Sequence, residues 1–404
     1  MLRALRHRDF RLLWTGQAIS LAGDGVYLVA IAWLVYDISN KPGALAIVGF
    51  AWTLPQVAGL LLAGVMSDRF ERRRLLILAD LIRFAAIGAI AGLVYADVVE
   101  LWHLIVLVVF YGLGQALFQP AFTAIVPEII PREELLQANA MRELLEPLGM
   151  RFFGPALGGA LIAAFGVGTA FLIDALTFVA SALAVVGIAR RPPLRSAPGS
   201  MWRDLGEGFA YVRAHAWLWG TLVGAALFLL FTFGPFEVLL PYVIRNELGG
   251  DAATFGTVLA AGGAGSFFGA VLLGRVGLPK RHVTYMWTAW TVGDALIIGL
   301  AFAETAWLMC LLAFVNFALG TSALVVWNTL MNTLVPPELL GRVSSLDWFV
   351  SIGLTPVSFA ITGPVAALIG ARETLALAGV LGTVTFLFLF IPGVRDPERQ
   401  PLPT

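Results

Sequence analysis

The chain has 404 residues, of which 59% are apolar and only 13% are charged, and its mean hydropathy is +0.86. A soluble domain of this length needs far more polar surface, so this composition indicates that the lipid bilayer is the solvent. The formal net charge is zero and no basic tract is interleaved with aromatic residues, which argues against a nucleic-acid partner.

Apolar runs between charged or Pro/Gly-rich breaks predict twelve membrane-spanning helices. A span needs about 20 apolar residues, and a backbone in hydrocarbon must satisfy its own hydrogen bonds, which favours helices. The fold class we expect is therefore an all-α integral membrane protein. The predicted spans are 10–36, 44–66, 75–95, 101–126, 144–166, 168–189, 217–244, 253–276, 283–303, 305–335, 346–369 and 374–392.

Lysine and arginine residues set the orientation of these spans. Most of the 26 fall in loops that would share one side of the membrane, whereas the loops of the opposite side hold Lys41, Arg245 and Arg372. Because cytoplasmic loops carry the excess of Lys and Arg, both termini are predicted to be cytoplasmic. Two termini on one side require an even number of spans, and twelve satisfies that condition.

The first predicted half, 1–189, carries ionisable groups inside its spans. Asp24 stands near the middle of the first span, between two glycines. Asp80 and Arg83 lie three residues apart on the third span, where we expect a local ion pair. Asp174 in the sixth span either bonds a neighbouring helix or takes part in transport. Ionisable groups are costly in hydrocarbon, which makes Asp24 the first candidate for a functional role.

A polar segment, 190–216, divides the chain near its middle. It begins Pro-rich and becomes amphipathic, which predicts a short helix along the membrane interface. The second predicted half with a short tail, 217–404, contains Glu237 in its first span and Asp294 in its third. A carboxyl group in apolar surroundings can load and release a proton, and when ionised it attracts a cation. Asp24, Glu237 and Asp294 are therefore the proton-coupling candidates.

The two halves show internal likeness. "GLLLAG" at 59–64 returns as "GAVLLG" at 269–274, and "IVPEIIPREELL" at 125–136 has an echo in "LVPPELL" at 334–340. The offsets of these pairs are 210 and 209 residues, which indicates a duplicated six-span unit. Duplicated halves around a central site are typical of secondary transporters.

Polar side chains at span depth are candidates for lining a substrate cavity. Gln115 and Gln119 share one face of the fourth span, and Asn328 and Asn332 repeat that spacing in the tenth. Hydrogen bonding between helices is the alternative role for each. The full candidate set, with two aromatic residues, is Gln17, Tyr27, Gln115, Gln119, Phe231, Asn328 and Asn332.

The segment 64–74, "GVMSDRFERRR", resembles the signature loop of the major facilitator superfamily between its second and third helices. The matching positions are Gly64, Asp68, Arg69, Arg72 and Arg73. "GPALGG" at 154–159 is similar to a helix-packing motif of antiporters in this superfamily, and its matching positions are Gly154, Pro155, Gly158 and Gly159. The opening "RDFRLLWTGQAISLAGDGVYLVAIAWLVYD" and "PREELLQANA" are similar to the branch of bacterial siderophore and macrolide exporters.

This resemblance implies two pseudo-symmetric six-helix bundles, a monomer in the bacterial inner membrane, and a gating latch at the signature loop. Asp68 would sit against the N-terminus of the eleventh span, which we expect at "SSLDWF" with Ser344 as its cap. Arg72 would pair with Glu128 or with Asp347. The alternative is that the arginines only anchor the loop in the cytoplasm.

These observations together predict a secondary active transporter that exports amphipathic small molecules, such as drugs, macrolides or siderophores, in exchange for protons. A lipid or lysolipid translocase and a proton-coupled importer are the alternatives. The sequence lacks the G-x-x-x-x-G-K-[ST] loop of ATPases, H-E-x-x-H and zinc-type Cys/His clusters. We therefore expect no enzymatic activity, no cofactor and no metal, with a small-molecule substrate, protons and the lipid bilayer as partners.

Overall fold

The computed structural model describes residues 3–190 and 201–399, and this part of the chain is helical and contains no strand. Its first seven α-helices are α1 (Arg8–Ile38), α2 (Pro42–Arg69), α3 (Arg72–Tyr95), α4 (Leu101–Ile129), α5 (Leu135–Glu143), α6 (Gly154–Phe165) and α7 (Val167–Val186). The remaining eight are α8 (Met201–Ala214), α9 (Ala216–Asn246), α10 (Ala252–Val276), α11 (His282–Phe302), α12 (Ala306–Leu334), α13 (Pro337–Gly353), α14 (Thr355–Ile369) and α15 (Ala371–Val384).

Eleven segments of the described chain are long and apolar enough to cross a bilayer. Three of them are composite: Gln137–Phe165 joins α5, a π-helical stretch and α6, Glu338–Ile369 joins α13 and α14, and Ala371–Phe390 joins α15 and a short 3-10 helix. Helix α2 adds a further 28 helical residues between the first two of these segments. The prediction of an all-α integral membrane protein is confirmed, and the count of twelve spans stays a prediction.

The described residues divide into two compact units. The first unit holds residues 3–190 together with 244–260, and the second unit holds 201–243 together with 261–399. Residues 244–260 end α9 and begin α10, so a stretch that the sequence places in the second half groups with the first unit. Each unit has its own core.

The core of the first unit lies among α1, α3, α4 and α7. Phe10, Leu76, Phe118 and Val185 contribute to it from these four helices. The core of the second unit lies among α9, α11 and α12 and the end of the chain. The large buried side chains there include Leu218, Trp287, Trp327 and Val394.

The eleventh predicted span begins earlier in the structure than the sequence indicates. Helix α13 starts at Pro337, directly after Pro336. Proline suits the first position of a helix because its missing N–H needs no partner there and its φ is already helical. Ser344 therefore lies inside a helix, and its expected role as the cap of this span is wrong.

Single glycines join α6 to α7 and α14 to α15. Gly166 has a φ of +81° and Gly370 a φ of +99°, a conformation that strains residues with a Cβ. Their amides close the preceding helices by donating to the carbonyl oxygens of Ile162 (2.9 Å) and Ala366 (3.0 Å). The following helix starts at the next residue in both cases, so neither connection needs a loop.

The amphipathic part of the linker is helix α8, and it packs on the second unit. Val212 is buried in that unit's core. The Tyr211 hydroxyl donates to the Leu334 carbonyl over 3.3 Å, and Glu207 pairs with Arg342 at the start of α13. Burial raises the pKa of the Tyr211 hydroxyl. These contacts attach the linker helix to the ends of α12 and α13.

Candidate functional site

The first unit has a group of ionisable side chains at its centre, here called the acidic cluster, in a core that is otherwise apolar. Helices α1, α3 and α7 supply its members. Each of them is at most 2% exposed, so water reaches none of them in this conformation. The cluster consists of Asp24, Asp80, Arg83 and Asp174.

Arg83 holds the only positive charge of the acidic cluster. Its guanidinium pairs with Asp80, and its Nη1 lies 3.9 Å from Asp24 Oδ2. Two aromatic rings enclose it, with centroids 4.5 Å (Phe118) and 4.4 Å (Phe178) away, an arrangement that stabilises a cation. The predicted ion pair of Asp80 and Arg83 is therefore confirmed. The guanidinium also reaches a carboxyl group on another helix, which the sequence analysis did not predict.

Asp24 is held by groups from two other helices. The Tyr111 hydroxyl of α4 donates to Asp24 Oδ1 over 2.7 Å, while Arg83 of α3 approaches the other carboxyl oxygen. The Tyr111 ring packs on Tyr27 with centroids 4.6 Å apart. Asp24 therefore has both a hydrogen-bond donor and a nearby cation, the two features that stabilise an ionised carboxylate in an apolar core.

Asp174 has neither of these features. It is fully buried on α7, and neither of its carboxyl oxygens has a hydrogen-bond partner among the described residues. The Thr177 hydroxyl donates to the Asp174 main-chain carbonyl over 2.6 Å instead. Gly23 packs so closely that a Cβ there would lie 2.5 Å from Asp174 Oδ1, which places this carboxyl against the chain segment that carries Asp24.

Glycines allow these helices to pack closely against one another. A Cβ on Gly114 of α4 would lie 2.7 Å from Arg83 Cγ and 3.0 Å from the Ala79 carbonyl oxygen. A Cβ on Gly16 of α1 would lie 3.0 Å from the Ala184 side chain of α7. Small residues at such contacts let helix backbones approach closely, and here they set the spacing of the acidic cluster.

The other two proton-coupling candidates lie outside the acidic cluster, in the second unit. Glu237 is half-buried on α9. Asp294 on α11 is 2% exposed, and its Oδ2 has no hydrogen-bond partner among the described residues. It packs on α15, where a Cβ on Gly382 would lie 2.7 Å from that oxygen. Of the three candidates, Asp24 alone is part of the acidic cluster.

Two arginines of the signature loop make contacts within the first unit. Arg72 pairs with Glu128 and donates to the Ala124 carbonyl over 3.0 Å, so one of its two predicted partners is present. Arg73 donates through Nε to the Val185 carbonyl (3.1 Å) and through Nη2 to the Val186 carbonyl (2.6 Å). It thus binds the last carbonyl groups of α7, a favourable place for a cation, and this contact was not predicted.

The structure describes only some of the other residues of the predicted latch. The contacts of Gly64 and the side chains of Asp68 and Arg69 lie outside what the structure describes. Asp347 belongs to the second unit, where its Oδ2 accepts a hydrogen bond from Trp327 Nε1 over 3.2 Å. The gating role of these residues stays a prediction.

The packing motif lies at close helix contacts. A Cβ on Gly154 would lie 2.6 Å from Gly25 Cα, and one on Gly158 would lie 3.0 Å from another backbone carbon of α1. A Cβ on Gly159 would lie 2.8 Å from a carbonyl oxygen at the start of α10. Pro155 occupies the first turn of α6. Side chains larger than hydrogen have no room on this face of α6.

The residues predicted to line a cavity occupy different environments. Gln17 is buried, and Tyr27 is enclosed by the aromatic rings of Trp52, Tyr111 and Phe171. Gln115 accepts a hydrogen bond from Trp52 Nε1 over 3.0 Å. Phe231 is half-buried, whereas the exposed members are Gln119, Asn328 and Asn332.

Three features of the acidic cluster have no signal in the sequence. Tyr111 stands in an apolar run, and nothing local marks its hydroxyl as a donor to Asp24. The approach of Arg83 to Asp24 joins residues that are distant along the chain, and so does the packing of Asp174 against Gly23. The sequence shows that these groups lie within spans, but it does not indicate which of them are in contact.

The long apolar helices and the charges embedded among them define a multi-pass membrane protein. The chain matches the family model described as transmembrane secretion effector, of the major facilitator superfamily, over residues 1–400. It belongs to that family, and the resemblance drawn from its signature loop is confirmed.

Relatives of known name are similar along almost the whole chain. Macrolide efflux protein A of Streptococcus pyogenes is 24% identical over 378 residues, which cover 92% of this chain and 93% of the relative. Multidrug efflux pump Tap of Mycolicibacterium fortuitum is 30% identical over 402 residues, which cover 95% of each protein.

Solved transporters share the fold at low sequence identity. The nucleoside transporter NupG superposes with a TM-score of 0.69 at 12% identity and covers 95% of this chain and 98% of its own. A bacterial homologue of the human lysosomal transporter Spinster superposes with a TM-score of 0.71 at 14% identity and covers 98% of both chains. These likenesses support the transporter fold.

Proposed function

We propose that this protein is a secondary active exporter that moves amphipathic small molecules out of the cell in exchange for protons, by alternating access. The observation that carries the proposal is the acidic cluster of the first unit. Three carboxyl groups and a single guanidinium lie together in an apolar interior, and such groups are too costly in a membrane protein to persist without a function.

The chemistry of coupling follows from the carboxyl groups. A carboxylate attracts a cationic substrate, and protonation removes that attraction, so proton entry releases the substrate. Each carboxyl group is protonated more readily on the side of the membrane with the higher proton concentration, and protonation releases the substrate there. The direction of the proton gradient therefore sets the direction of net transport. The absence of a phosphate-binding loop from the sequence is consistent with a gradient as the energy source.

The proposed architecture has twelve spans in two six-helix halves, 1–189 and 217–404, that alternate around a central substrate site. The eleven candidate spans of the described chain and the 28 residues of α2 support this count. The positive-inside distribution of Lys and Arg supports cytoplasmic termini. Because both named relatives are bacterial, we place the protein in a bacterial cytoplasmic membrane, as a monomer.

The substrate class is proposed from the relatives. One is named for macrolide efflux and the other for multidrug efflux, and both cover nearly the whole chain. Macrolides are bulky, largely apolar and carry an amine, so they suit a site that combines aromatic rings with an embedded carboxylate. The efflux named for both relatives supports export rather than uptake.

The test is transport by the purified protein in liposomes with an imposed pH gradient and a macrolide as the probe. We expect drug movement that stops when a protonophore collapses the gradient, and at least a tenfold loss in Asp24→Asn, the effect of removing about 1.4 kcal/mol of interaction. Asp97→Asn is the matched control, because Asp97 is exposed and has a φ of 55°, a conformation that asparagine tolerates.

Three results would contradict the proposal. Transport that persists after the gradient collapses would remove proton coupling, and full activity in Asp24→Asn would remove Asp24 from the transport mechanism. Movement of a fluorescent lysolipid without movement of the macrolide would favour a lipid translocase. Drug accumulation driven with the proton flow, rather than against it, would show an importer.

A further inference from the structure

The acidic cluster does not balance its charges when every member is ionised. Asp24, Asp80 and Asp174 would contribute three negative charges, and Arg83 contributes one positive charge. Each of these residues is at most 2% exposed, and an unpaired charge in such surroundings is strongly unfavourable. The cluster therefore requires at least one bound proton while it is closed to water.

The contacts show which carboxyl group suits that proton. Asp80 is committed to Arg83 through their ion pair. Asp24 accepts a hydrogen bond from Tyr111 and lies 3.9 Å from the same guanidinium. Asp174 has no cation in contact and no donor to its carboxyl oxygens among the described residues. Of the three, Asp174 gains least from being ionised.

The geometry points to Asp174 as a proton-binding site of this transporter, which holds a proton while Asp24 stays ionised beside Arg83. This inference rests on the proposed proton-coupled function and identifies the group that carries the proton within it. When water reaches the cluster, the O–H bond of Asp174 breaks, the proton passes to water and a carboxylate remains. A proton from the opposite side then restores the neutral carboxyl group.

Every titratable or charged group facing Asp174 from the neighbouring helices is part of this balance. Helix α1 contributes Asp24 and Tyr27, α4 contributes Tyr111, and α3 contributes Arg83, with which Asp80 is paired. The negative charge of Asp24 acts on Asp174, and Arg83 is the cation that opposes it. Asp24 and Arg83 are therefore positioning residues for the proton on Asp174.

Infrared spectroscopy of the full-length protein in lipid nanodiscs tests this inference without any substrate. A protonated carboxyl group gives a C=O stretching band distinct from that of a carboxylate. We expect wild-type protein at neutral pH to show such a band, and Asp174→Asn to lose the part of its area that corresponds to one carboxyl group. In Asp24→Asn the band of protonated Asp174 should remain at neutral pH, because Asp24 is ionised in the wild type and contributes nothing to that band. As the pH is raised, the band should disappear at a lower pH in Asp24→Asn than in the wild type. The lower pH follows because the repelling charge of Asp24 is gone.

Asp97→Asn serves as the control, because Asp97 is exposed and lies outside the acidic cluster, so its removal should leave the band unchanged. Should Asp174→Asn fail to give monodisperse protein, Asp174→Glu keeps a carboxyl group there and should shift the frequency of the same band. An unchanged band in Asp174→Asn or Asp174→Glu would overturn the inference. The loss of the neutral-pH band in Asp24→Asn rather than in Asp174→Asn would also overturn it and would assign the proton to Asp24.

The outcome is separable from that of the transport assay. Gradient-driven export by the wild type, together with an unchanged band in Asp174→Asn, would refute this site and leave the exporter intact. A protonated Asp174 in a protein that moves no drug would refute the proposed function but would still support Asp174 as a proton-binding site.

Discussion

Arg83 connects two carboxyl groups in an interior that offers no water. Its guanidinium pairs with Asp80 on its own helix and approaches Asp24 on α1 at 3.9 Å, between two aromatic rings. The ion pair with Asp80 fixes the direction in which the guanidinium points. Asp80 therefore acts on Asp24 through Arg83, as a positioning residue.

Removal of Asp80 should destabilise the protein strongly. In Asp80→Asn, Arg83 loses its ion-pair partner and keeps only the more distant carboxylate of Asp24. Breaking a buried ion pair lowers the free energy of unfolding by about 3 kcal/mol. We expect a lower melting temperature for the purified protein in detergent. A melting temperature equal to that of the wild type in Asp80→Asn would contradict this account of the pair.

Close contacts between helices, made at glycine, position the acidic cluster at the scale of whole elements. Helix α6 packs on α1 through Gly154 and Gly158, and α1 in turn packs on α7 through Gly16 and Gly23. Because Asp24 and Asp174 lie on α1 and α7, the spacing of these helices sets the distance between the two carboxyl groups. The packing motif of α6 thus supports the site from the far side of α1.

Enlargement of Gly154 should disturb this packing. Gly154→Val would place its side chain within 2.6 Å of Gly25 Cα, and overpacking of this kind costs about 1–3 kcal/mol. Thermal unfolding in detergent would measure the loss. Gly92→Ala on α3 is the control: a Cβ there meets no atom within 4 Å, so it should be neutral or stabilise by about 0.5 kcal/mol. Equal stability of the two variants would exclude a tight α1–α6 contact.

The chain as a whole has two compact units joined by a linker whose helix packs on the second. The resemblance to the major facilitator superfamily assigns the signature loop a role in alternating access. Within the first unit the loop already serves the structure, because Arg72 binds Glu128 and Arg73 binds the end of α7. Its arginines therefore make structural contacts beyond the anchoring role that the sequence analysis gave as the alternative.

The latch hypothesis is tested at Asp68. Asp68→Asn should lower the transport rate about tenfold, which corresponds to a lost contact of about 1.4 kcal/mol, and should leave membrane insertion intact. Transport in liposomes and quantification of the inserted protein give the two readouts. Arg74→Gln is the control, because the Arg74 side chain is 72% exposed and an exposed ion pair contributes little. A normal rate in Asp68→Asn would leave the loop with the structural roles seen for Arg72 and Arg73.

The sequence by itself determined that the protein is helical and embedded in a membrane, and that Asp24, Asp80, Arg83 and Asp174 lie within its spans. These properties are local: each span must be apolar and must satisfy its own backbone hydrogen bonds, so each can be recognised from its own residues. The pair of Asp80 and Arg83 was predictable for the same reason, since three residues along a helix bring two side chains to one face.

Only the tertiary structure decided which embedded groups meet. The link from Arg83 to Asp24, the hydroxyl of Tyr111 and the isolation of Asp174 depend on how each helix is rotated about its axis and how closely it approaches its neighbours. Those quantities arise from contacts between residues far apart in the chain, such as Gly114 against Arg83, and no local pattern contains them. The start of α13 was also not predictable from local sequence. The helix begins at two adjacent prolines, whereas the capping-box spacing placed its start at Ser344.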